Sequence, residues 1–102
     1  MTNPTTEPTI AERVARGAAL LDEKRPGWAN RIIQEDLDMT SCHDCILGQV
    51  YGDYEIGWHS LDLQSGSEFG FDLPGGWYCQ MPALADAWRA EIRRRTGQEA
   101  RP

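Results

Sequence analysis

The chain is 102 residues long and carries 10 Lys and Arg against 16 Asp and Glu, a formal net charge of −6. That length supports one core rather than two, and no apolar run approaches the ~18 residues of a membrane-spanning helix. The charge balance runs against non-specific nucleic-acid binding, which depends on Lys and Arg neutralising phosphates.

Four tryptophans, three tyrosines and two phenylalanines supply large buried areas from few positions. The N-terminal stretch lacks the basic start and apolar run of a secretory signal, so the expectation is a cytoplasmic protein with reduced thiols. Three cysteines, an odd number, argue against a disulfide framework. Charge is distributed unevenly. Residues 36–72 hold Asp36, Asp38, Asp44, Asp53, Glu55, Asp62, Glu68 and Asp72 and no Lys or Arg. This acidic stretch is either ordinary solubilising charge or a face that meets a basic partner.

Residues 1–8, with two prolines and three threonines, read as a disordered tail. Thr9 followed by Glu12 is a capping box, and Ile10, Val14, Ala18 and Leu21 recur at helical spacing. This predicts a first helix over 9–24, ended by Pro26-Gly27. Trp28 and Ile32 predict a second, short helix flanked by Ile33, followed by a looser segment containing Leu37 and Met39. Ser41 and Asp44 suggest the cap of a third helix carrying Cys42, Cys45, Ile46, Gln49 and Val50, with Gly52 at its end. Asp53 caps a fourth that presents Tyr54, Trp58 and Leu61, with Gly57 allowing a close neighbour. Residues 64–76 read as a loop with aromatic anchors and a short extended piece near 68–72. Pro82 opens the last helix, whose stripe is Leu84, Trp88 and Ile92. Arg93, Arg94 and Arg95 oppose the negative helix end, and Gly97 closes it.

Four stretches carry a resemblance: Gly17 through Trp28, Cys45 through Tyr54, Phe69-Gly70-Phe71-Asp72, and Ala83 through Arg89. In that order they resemble a group of small hypothetical proteins of actinobacteria and of the phages that infect them. The resemblance covers most of residues 17–93 and implies an intracellular protein in a phage or prophage setting. It brings no known activity or catalytic residues with it.

Cys42-His43-Asp44-Cys45 followed by His59 matches the first part of a zinc-finger spacing. The window for a fourth ligand holds Leu63, Gln64 and Ser65, so Cys79 would have to complete a Cys42, Cys45, His59, Cys79 zinc site through the fold. The plainer alternative makes Cys45 and Cys79 small core residues and leaves His43 and His59 as surface or packed side chains. A dithiol reading of the same Cys pair would place Cys42 at a helix N-terminus, but no strand pattern precedes it. His59, Ser60 and Asp62 are helix neighbours rather than a triad. Gly48 and Gly52 are explained by close packing or a cap, not by membrane dimerisation. Phe69, Phe71, Trp77 and Tyr78 either pin the long loop to the core or form a contact surface.

The combined expectation is an all-α fold: a compact, irregular bundle of four to five helices with one long aromatic-rich loop. A single domain spans 9–97 between the tails 1–8 and 98–102. The expected function is non-enzymatic, protein–protein contact with an unidentified partner. Its contact residues are expected among Asp53, Glu55, Asp62, Phe69, Phe71, Trp77 and Tyr78. A zinc-stabilised binding module is the alternative; otherwise no cofactor is expected.

Overall fold

The computed structural model describes residues 8–75 and 78–97. The terminal tails expected at 1–8 and 98–102 therefore lie outside the described residues, apart from Pro8. The fold is all-α, with α1 at Ile10–Lys24, α2 at Ile46–Tyr51, α3 at Tyr54–Ser60 and α4 at Met81–Thr96, joined by short 3-10 turns. Among the described residues there is no strand, and no helix is long and apolar enough to cross a membrane.

α1 begins where the sequence places it. The Thr9 hydroxyl accepts from the Glu12 amide (3.1 Å) and the Glu12 carboxylate accepts from the Thr9 amide (2.9 Å), so two otherwise unpaired N–H groups are satisfied. Its buried face, Val14, Ala18 and Leu21, meets Leu84, Trp88 and Ile92 of α4 in a shared core. Trp88 is the centre of that core. Its ring stacks on Phe71 (5.4 Å between centroids, 17° between planes) and takes Trp28 edge-on (5.6 Å, 89°). Its indole N–H donates to the Gly70 carbonyl at 2.6 Å, so the buried polar atom is not left unpaired.

The segment 67–71 lies flat on α1. This close approach requires glycine on both sides. A Cβ at Gly17 would collide with the Phe69 carbonyl oxygen, and one at Gly70 would stand 2.8 Å from the Val14 backbone. Gly70 also has φ +73°, which side-chain-bearing residues rarely adopt. The extended piece expected near 68–72 is instead a 3-10 turn at Ser67–Phe69 followed by this left-handed glycine. Arg13, only 6% exposed, secures the same segment from α1 by donating to the Ser67 carbonyl at 2.9 Å.

Two expectations in the first half are corrected. The second helix is a single 3-10 turn at Trp28–Arg31, because Ile32 and Ile33 fall into extended backbone, where β-branched residues are at ease. Ile33 does not flank a buried face and is 55% exposed. The third helix starts later than Ser41. Cys45 is the N-cap of α2, so Cys42 lies ahead of the helix rather than on it. Gly52 ends α2 and Asp53 caps α3, its carboxylate accepting from the Glu55 amide at 2.8 Å. Gly57 lets α3 settle on Leu47 and Tyr51 of α2. Pro82 sits in the first turn of α4 and Gly97 closes it.

Candidate functional site

The loop that carries the cysteines is closed by its own polar side chains. Asp38 accepts from both the amide (2.9 Å) and the hydroxyl (2.6 Å) of Thr40. The Thr40 hydroxyl, then its amide, hold the Asp38 carboxyl below the usual carboxylate range. Ser41 accepts from the His43 and Asp44 amides, and the Asp38 amide donates back to the Asp44 carbonyl. Gln49 of α2 clamps the outside. Its carbonyl oxygen accepts from the Ile33 amide (2.6 Å), and its amide donates to the carbonyls of Ile33 and Asp44.

Within this loop the two cysteines part company. The Cys45 thiol is buried and accepts from the Gly48 amide at 3.3 Å, acting as the helix cap. Burial pushes this thiol up from its ordinary value, away from the thiolate that binds metal or attacks disulfides. Cys42 is exposed. His43 Nδ1 lies 3.1 Å from the Gly52 carbonyl and must be the donor, since a carbonyl only accepts. His59 is exposed on the last turn of α3. Cys79 is exposed at the approach to α4 rather than in the core. Among the described residues no group of three or more His, Cys, Asp or Glu is placed to hold a metal ion. The set Cys42, Cys45, His59 and Cys79 is not brought together. The spacing misleads because C-x2-C falls on a tight turn that points one thiol inward as a cap and leaves the other outside. His59, Ser60 and Asp62 are all exposed around the end of α3. Asp62 adopts a left-handed φ of +56°, a conformation Asp tolerates better than most residues.

The acidic stretch is exposed almost throughout. Asp36, Asp38, Asp44, Glu55, Asp62, Glu68 and Asp72 all face solvent, and Asp53 is half-buried beneath its cap. Three arginines of α4 pair elsewhere. Arg89 bonds Asp86, Arg94 bonds Glu91, and Arg95 bonds both Glu91 and Asp22. Among the described residues no carboxylate in 36–72 is ion-paired with Lys or Arg, and the His43 ring lies 4.0 Å from the Asp53 carboxylate.

The aromatic contact residues expected from sequence divide in the same way. Phe71 is 2% exposed and belongs to the core, so it is withdrawn as a contact residue. Phe69 is half-buried against that core. Trp77 and the side chain of Tyr78 lie outside the described residues. Tyr54, beside Trp58, has a buried hydroxyl with no hydrogen-bond partner among the described residues. Burial first, and the Asp72 charge second, push its phenol up to about 12.

One groove, of about 550 Å³, was not anticipated. Residues 37–40 form one wall. The other is the outer side of α4's first turns, with Met81, Pro82, Ala85, Asp86 and Arg89, and Cys79 stands at the approach. The available signals were Met39 and Met81, two of three methionines, and Pro82 at the start of a helix. Their pairing across 42 positions has no local signature. No family model, curated protein or solved structure matches this chain.

Proposed function

We propose that this protein acts by protein–protein contact, presenting its acidic midsection to a basic surface on its partner. The observation that carries this reading is the segregation of charge. Arg89, Arg94 and Arg95 pair with acids of the end segments, while among the described residues the carboxylates of 36–72 have no Lys or Arg partner and all but Asp53 are exposed. Unpaired surface charge of one sign steers encounter and suppresses wrong partners. Cys45 and Asp53 serve as helix caps and Asp38 as a loop closure, structural roles that fit a binding protein. The resemblance to small actinobacterial and phage proteins favours an intracellular setting with a host factor as the target.

The test replaces charge without disturbing shape. In the variant Asp53→Asn/Glu55→Gln/Asp62→Asn, Asn keeps the helix cap at 53 and tolerates the left-handed backbone at 62. Capture from an actinobacterial lysate should yield a protein with wild type that is lost with the variant and on raising salt. Recovery of the same protein by both chains contradicts the reading.

A further inference from the structure

Resting on that reading of the chain as a protein-binding module, we propose that the groove between residues 37–40 and α4 is a docking site for a short basic, amphipathic segment of the partner.

Its shape comes first. Met81, Ala85 and Arg89 are four residues apart, as are Pro82 and Asp86, so they form a straight double row along two turns of helix, about 12 Å long. Leu37 and Met39 close the opposite side. A trough of this length, apolar along its base, matches the anchor side chains of a helix that recur every three to four residues. Two methionines, unbranched and polarizable, adapt to the shape of an incoming side chain.

Charge selects the sign of the occupant. Asp38 and Asp86 line the groove, and the Asp86 side chain is 77% exposed. The Asp38 carboxylate holds Thr40 with one oxygen, Oδ1, and is itself exposed. The wall of 37–40 continues into the exposed carboxylates of Asp36 and Asp44, with no Lys or Arg between 36 and 72. Arg89 is the one cation among the described residues of the lining, and it is bonded to Asp86 at 3.2 Å. An incoming Lys or Arg meets an acidic rim, whereas an acidic segment meets repulsion on the 37–44 side.

The experiment is selection of short peptides displayed as a library on the full chain, followed by affinity measurement of the enriched sequences as synthetic peptides. The expected sequences carry Lys or Arg around apolar positions three or four apart. Their affinity should fall on the order of tenfold with Asp86→Lys at low salt and also with Met81→Gln. Circular dichroism and melting of both variants establish that they fold. The Asp53→Asn/Glu55→Gln/Asp62→Asn chain should bind the same peptides within about twofold. Enrichment of acidic or uncharged peptides, enrichment of none, or affinity unchanged in both folded groove variants overturns the groove as the docking site. Peptides that ignore the groove variants but lose the triple variant overturn this inference while leaving the acidic-surface reading intact. An empty lysate capture with normal peptide binding does the reverse.

Discussion

At the scale of single residues, the core is fixed by where side chains are missing as much as by where they are present. Gly17 sits inside α1, where helix propensity alone favours alanine by about 1 kcal/mol. The Phe69 carbonyl and the Trp88 ring occupy the space a methyl would need. Gly17→Ala should therefore destabilise by about 1–3 kcal/mol, the range for overpacking. Gly75→Ala, with nothing among the described residues within 4 Å of its Cβ, should lie within about 1 kcal/mol of wild type. Denaturant midpoints of the two variants check this, and equal midpoints would remove the close seating of 67–71 on α1. The three thiols make a second prediction. Cys42 and Cys79 are exposed and Cys45 is a buried cap. Mass spectrometry after iodoacetamide treatment of folded protein should show two rapid additions and a third only on unfolding. Three additions at one rate would contradict the cap.

At the scale of elements, α1 and α4 are joined at their C-terminal ends as well as along their faces. Arg95 donates to both oxygens of Asp22 (2.9 and 2.7 Å) and to Glu91, and the Trp28 indole donates to Asp22. The Arg95 guanidinium, bonded to Asp22, is the main reason that carboxyl lies below its ordinary value. A depressed folded-state value means the contribution is complete above the unfolded carboxyl range and is lost as pH falls through the folded one. Asp22→Asn should thus lower stability at neutral pH by up to about 1 kcal/mol, discounted because the side chain is half exposed. The gap to wild type should begin to narrow near about pH 4, the ordinary carboxyl range, and close only below it. A gap that persists in acid would assign the effect to packing instead.

The helix ends were legible because capping is local. Thr9 with Glu12, Gly52, Asp53, Pro82 and Gly97 each mark a boundary within a few residues, and the stripes of α1 and α4 named the core. What the sequence did not disclose depends on distant placement. Phe71 is core because Trp88 stacks on it. Trp28 and Ile32 suggested a helix, but the chain becomes extended at Ile32 and Trp28 is held by Asp22. The zinc spacing gave no warning that Cys45 serves as a cap, since a cysteine N-cap has no distinct pattern. The groove joins two segments 42 residues apart and was invisible for the same reason.

At the scale of the molecule, the fold divides its charge. Arg89, Arg94 and Arg95 of the last helix pair with acids of the two long helices, which hold the aromatic core, while the shorter helices and connecting loops carry exposed carboxylates. The central claim is that contact with a partner takes place on that acidic side. Amide hydrogen exchange of the protein alone and in complex with the captured partner tests it most directly. New protection should appear within 36–62 and at the start of α4, with α1 unchanged. Protection confined to α1 and the arginine-bearing end of α4, with 36–62 exchanging as in the free chain, would contradict it.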